Sequence, residues 1–139
     1  MKKLAVIDAN ILLRFLTDDV PEMAEPCTQL LQRVERGHEA VFLPDHILAD
    51  VIWTLEKHYH QPKARIREVM TPILNMRGLH LSSKARAFHA LNLYVEENID
   101  WSDAYVASWM IARGITRIYS YDRDFQKISS LERVQPGKE

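Results

Sequence analysis

The residues of this chain best suited to chemistry are aspartates that end or interrupt apolar runs. Leu4-Ala5-Val6-Ile7 has strand character and stops at Asp8-Ala9-Asn10, before a second apolar run from Ile11 to Leu16. A carboxylate at the exit of a buried strand is costly unless a cation meets it or it binds metal, which makes Asp8 a site candidate. Asp122 stands in a similar place, in Tyr119-Ser120-Tyr121-Asp122-Arg123-Asp124-Phe125. Two more acids lie in helical patterns: Asp50 in Ile47-Leu48-Ala49-Asp50-Val51-Ile52-Trp53, and Asp103 in Asp100-Trp101-Ser102-Asp103-Ala104. Carboxylates crowded together raise one another's pKa and resist joint ionisation unless a divalent cation compensates them. All-oxygen donor sets of this kind suit hard ions such as Mg²⁺ or Mn²⁺.

The elements that must position these acids follow from the hydrophobic pattern. Strand-like segments at 4–7, 40–43, 79–81, 117–120 and 132–134 alternate mostly with helical ones, which indicates a parallel α/β sheet. The spacing predicts a helix over 21–36 with Met23, Cys27, Leu30, Leu31 and Val34 on one face, stopped by Gly37. A second begins near Asp45 as its N-cap, carries Ile47, Leu48, Val51, Ile52 and Leu55 on an apolar stripe, and ends around Tyr59. Pro62 suits the first turn of a third, which Pro72 is expected to kink or split. Helices over about 83–97 and 101–113 follow, the last closed by Gly114.

In open parallel sheets ligands gather beyond the carboxyl ends of the strands, so Asp8 and Asp122 are expected on one rim. Asp103 falls beside Ala104 and Ala107, toward the packed side of its helix. Its alternative role is that of a first-turn carboxylate behind an Asp100 cap, favoured by the helix dipole. Asp50 interrupts a helix, where aspartate is a poor former, and flanks the apolar stripe beside His46 and Thr54, with plain surface exposure as the alternative.

Length and composition bound the rest. The 139 residues fit one domain, and 47% hydrophobic with 27% charged residues describe an ordinary soluble globule. No apolar stretch approaches a membrane span, and Met1-Lys2-Lys3 followed directly by a short strand lacks the pattern of a signal peptide, so a cytosolic protein is expected. A single cysteine, Cys27, excludes an internal disulfide framework and is read as core. The formal charge of −1 argues against nucleic acid only superficially. With four of the nineteen acids neutralised by bound cations, the eighteen basic residues outnumber the remaining acids by three. Lys57, Lys63, Arg65 and Arg67 could supply part of such a face, although solvated helix surface explains each singly. His58 and His60 are badly spaced for a zinc pair. Trp53, Trp101 and Trp109 are read as packing, and Arg14 as a surface arginine.

Taken in order and spacing, Val6-Ile7-Asp8-Ala9-Asn10-Ile11-Leu12, Leu43-Pro44-Asp45 with Leu48 to Leu55, Asp100 to Ala104, and Tyr121 to Phe125 resemble the PIN-domain ribonucleases, specifically the VapC-type toxins of toxin–antitoxin pairs. The resemblance covers nearly the whole chain as a single domain, 1–139. It implies a PIN-like three-layer fold with a central, mostly parallel four- to five-stranded twisted sheet flanked by helices. It also implies a divalent-metal cluster, Mg²⁺ or Mn²⁺, carried by Asp8, Asp50, Asp103 and Asp122, with Asn10, Ser120 and Asp124 in support. The implied activity is endonucleolytic cleavage of RNA phosphodiester bonds, leaving a 5′-phosphate and a 3′-hydroxyl. The implied partners are an RNA substrate, a cognate VapB-type antitoxin and a second copy, with the helices between about Asp45 and Leu74 as the dimer surface. Two positions depart from the family pattern: Asp50 stands where glutamate is usual, and Ala9 where a hydroxyl residue is usual. A PIN-fold RNA- or protein-binding module with weakened catalysis is therefore the second reading. An aspartyl phosphotransferase fits poorly, since a second acid is expected where Asn10 stands.

Overall fold

A computed structural model describes residues 3–17 and 20–139. Met1 and Lys2, used above in reading the N-terminus, lie outside the described residues. The chain groups into two compact units, Met1–Lys84 and Ala85–Glu139.

The first unit is built on three short parallel strands, β1 (Ala5–Val6), β2 (Val41–Phe42) and β3 (Leu79–His80), in the order β1-β2-β3. Ala5 pairs with Val41, and Val41 with Leu79. Parallel neighbours need crossover connections, and here helices supply them. Helices α1 (Ala9–Thr17) and α2 (Pro21–Glu35) join β1 to β2, while α3 (Asp45–Lys57) and α4 (Lys63–Leu74) join β2 to β3. Helix α1 packs on α2 and α3, and α3 on α4. Each contributes a buried stripe at helical spacing: Ala24, Cys27, Leu31 and Val34 from α2, Leu48, Val51, Ile52 and Leu55 from α3, and Ile66, Met70, Ile73 and Leu74 from α4.

Several local expectations are corrected. The first strand is not buried: Leu4 and Val6 are 57% and 64% exposed, and only Ile7 is enclosed. Met23 is half exposed, and Ala24 takes its place on the α2 stripe. Pro44, in extended backbone, is the N-cap of α3, and Asp45 falls in the first turn. Pro62 likewise precedes α4. Pro72 does not split α4; it sits in the last turn, and Asn75 N–H still closes the helix onto the Thr71 carbonyl at 3.1 Å. Arg14 is half-buried, with an enclosed Nε that has no hydrogen-bond partner among the described residues.

The second unit carries α5 (Lys84–Glu96, its first residue closing the first unit), α6 (Trp101–Arg113) and a parallel pair, β4 (Arg117–Tyr119) with β5 (Glu132–Val134), bridged by a 3-10 turn at Arg123–Lys127. The inward side of α6 is small, as its sequence predicts: Ala104, Ala107 and Ser108 are buried. Ser108 Oγ lies 3.0 Å from His89 Nδ1, so this buried hydroxyl is satisfied within the unit. Helix α6 ends at Gly114 (φ 69°), with Ile115 N–H returning to the Met110 carbonyl at 3.0 Å. Those bonds form the left-handed closure that glycine makes cheaply. Among the described residues no helix is long and apolar enough to cross a membrane.

Candidate metal centre

Three of the sequence-predicted acids converge in the second unit. Asp103 lies in the first turn of α6, and Asp122 and Asp124 flank the start of the 3-10 turn that leaves β4. One carboxylate oxygen from each lies within 4.8 Å of the other two. Helix α6 packs against that turn, which is why acids 19 residues or more apart in sequence meet.

Each side chain is held by a distinct local device. Ser120 Oγ accepts from the Asp122 backbone N–H at 3.0 Å, and the Ser120 carbonyl accepts from Arg133 Nη1 at 3.2 Å. Asp122 Oδ1 accepts from the Asp124 N–H at 2.9 Å, so this acid caps the 3-10 turn with one oxygen. Asp124 pairs with Lys127 at 3.2 Å, and Lys127 also donates to the Asn98 carbonyl at 3.2 Å. Sequence reasoning missed Lys127; its spacing of three from Asp124, inside one turn, was the available signal.

The electrostatics are those of a site short of positive charge. Burial pushes the Asp103 carboxyl up to about 6, and the hydrogen bond that its protonated form donates to Asp122, with the charges of Asp122, Asp100 and Asp124, adds to the shift. Asp100 occupies the N-cap position of α6 but makes no side-chain capping bond. Asp103 is thus both a first-turn carboxylate and a member of the cluster, and the two readings of it do not compete.

Asp8 and Asp50 belong to the first unit, and both are exposed. Asp8 lies between β1 and α1, directly before the helix: its carbonyl accepts from Ile11 N–H at 3.2 Å, and its Oδ1 accepts from Ala9 N–H at 2.8 Å. Without a buried strand behind it, Asp8 carries no burial cost, and its position at a helix start suits a carboxylate on its own. Asn10 is exposed in the first turn of α1. Asp50 projects from the exposed side of α3, beside a buried stripe.

The remaining candidates divide. Cys27 is buried and free, as expected of core. Trp101 is buried edge-on to Tyr94, with ring centres 6.0 Å apart. Trp53 and Trp109 are not packing residues: both are exposed, and the Arg113 guanidinium lies 4.0 Å from the Trp109 ring centre. Among the described residues, His58 and His60 join no metal-binding group.

Alternating helices and parallel strands with acids clustered after a strand define a class, and the chain belongs to the PIN domain family, whose model matches residues 5–131. It is similar to a VapC ribonuclease from Aquifex aeolicus (strain VF5), with 25% identity over 134 residues, 96% of this chain and 98% of that protein.

Proposed function

We propose that this chain is a divalent-metal-dependent endoribonuclease and acts as the toxin of a VapBC-type pair, with residues 1–139 working as one cytoplasmic domain. The observation that carries the reading is the convergence of Asp103, Asp122 and Asp124, with ligand oxygens within 4.8 Å. The similarity to a VapC ribonuclease along nearly the whole chain supports the choice of RNA and of a VapB-type antitoxin. Asp8 and Asp50 enter the site through the order and spacing of their motifs.

The donor set fits Mg²⁺ or Mn²⁺: it is all carboxylate oxygen, and Lys127 offsets only Asp124. Such a cation, when bound, supplies a Lewis acid that eases deprotonation of water at neutral pH and offsets charge on a phosphate. Asp8, Asp103 and Asp122 are the residues assigned to hold it. Asp103 would give up its proton to hold it, Ser120 fixes the backbone of Asp122, Asp124 is anchored to Lys127, and Asp50 is assigned to position metal or water, with Asn10 in support. Hydrolysis then leaves a 5′-phosphate and a 3′-hydroxyl.

Incubation of the purified protein with single-stranded RNA and Mg²⁺ or Mn²⁺ tests this directly. Cleavage to 5′-phosphorylated products, abolished by chelator, is expected; intact RNA under all metal conditions contradicts it. The second reading, a PIN-fold binding module with weakened catalysis, is favoured by Asp50 and Ala9 at positions where the family usually has glutamate and a hydroxyl residue.

A further inference from the structure

At the amino ends of β2 and β3 a recess of about 410 Å³ opens between the end of α2 and the loop before β3. Arg36, His38, Arg77 and His80 line it, with Gly37, Ala40 and Gly78 as its floor. None of the four basic side chains has an ion pair or side-chain hydrogen bond among the described residues. Two acids flank these residues in sequence, and neither lines the recess: Glu35 is the exposed last residue of α2, and Glu39 is engaged by Arg33 at 3.4 Å.

The ordinary explanation for basic residues beside a helix end is that they satisfy its last carbonyls. Backbone groups already do that here. Arg36 N–H donates to Gln32 O, Gly37 N–H to Val34 O, His38 N–H to Arg33 O, and Gly78 N–H also to Val34 O, at 2.8 to 3.2 Å. The side chains are left over. The floor is also fixed: a Cβ at Gly78 would collide with the Glu39 carbonyl, and one at Gly37 (φ 79°) would lie 3.1 Å from Arg77 Cδ. Arg77 therefore rests against a glycine that leaves it room, and two arginines with two histidines face one open recess without a counter-charge.

We propose that this recess holds a backbone phosphate of bound RNA, as a contact separate from the acids. The proposal rests on the ribonuclease reading. Arginine suits a phosphate because its planar fork presents several donors at once. All four basic residues are exposed at the rim, which suits a polymer crossing the surface better than an enclosed small molecule. In the same ladder Asp8 follows the carboxyl end of β1, whereas Arg36, His38 and Arg77 precede β2 and β3. Within the first unit the recess thus lies at the opposite end of the ladder from Asp8.

The test is the affinity of a fluorescent single-stranded RNA measured by anisotropy across a salt series in chelator, where no cleavage occurs. Arg36→Gln with Arg77→Gln should bind several-fold more weakly than wild type, with a log–log salt slope shallower by roughly 0.7 per lost contact. Arg117→Gln, the loss of an exposed arginine elsewhere, should bind as wild type. An unchanged affinity and slope in the double variant overturns the proposal, as does equal weakening by Arg117→Gln or no wild-type binding. If inorganic phosphate raises the melting temperature of wild type but not of the double variant, while RNA affinity is unchanged, the recess takes a free anion and the proposal fails. None of these results depends on cleavage, so the ribonuclease reading stands or falls separately.

Discussion

Asp103 and Asp122 are hydrogen-bonded acid to acid, one from the first turn of a helix and the other from the residue that caps a 3-10 turn. Such a bond needs a proton between the two carboxyls, which fits the rise of Asp103 to about 6. A cation in that place and the proton exclude one another.

The pH dependence follows from that exclusion. Asp103 is raised from 3.8 to about 6, so between those values the folded protein holds a proton that the unfolded chain has lost. Stability from this group therefore falls as pH rises through that window, and the penalty is complete above it. Mg²⁺ or Mn²⁺ should raise the melting temperature more at pH 7.5 than at pH 5, with proton release on binding near pH 6. Equal stabilisation at both pH values would show that the cation does not displace this proton.

Asp50→Glu restores the longer carboxylate at the exposed site on α3. Calorimetry should find tighter Mn²⁺ binding by the glutamate form, and RNA assays faster cleavage by up to about tenfold, the low end of what supporting ligands contribute. If only the glutamate form binds metal or cuts RNA, the weakened-module reading is the correct one.

Trp53, 62% exposed on α3, lies within the surface assigned to dimerisation. If the second copy that the resemblance implies docks there, it would cover this apolar side chain. Light scattering should report a dimer for wild type and a monomer for Trp53→Glu. A wild-type monomer at high concentration removes the dimer.

Much of the fold was legible because its signals are local. The α6 bounds, its small inward face and the Gly114 stop follow from spacing and from glycine's tolerance of positive φ. Pro44 displaced Asp45 as the cap of α3 because extended backbone can cap without a side-chain oxygen, and composition does not reveal that. Exposure was harder to read: Leu4, Val6 and Trp53 are apolar yet open, because burial depends on what packs against an element and not on its own residues. The meeting of Asp103 with Asp122 was implied by the family resemblance and not by strand-exit chemistry, since Asp103 starts a helix, and the anchoring of Asp124 by Lys127 depends on the turn between them.

Gly114→Ala isolates the helix closure. A Cβ there meets nothing within 4 Å, so the whole cost is conformational, about 1 kcal/mol at φ 69°. Chemical denaturation should show that loss with an unchanged m-value; a neutral substitution would mean the closure contributes nothing.

The central claim is that these acids hold the metal that cuts RNA, and the rate of RNA cleavage by Asp103→Asn beside wild type tests it most directly. With saturating Mn²⁺ and equal thermal stability of the two proteins, the substituted protein should be at least about 100-fold slower, and Asp8→Asn, which keeps a helix-capping side chain, should behave alike. Wild-type rates in Asp103→Asn would contradict the account.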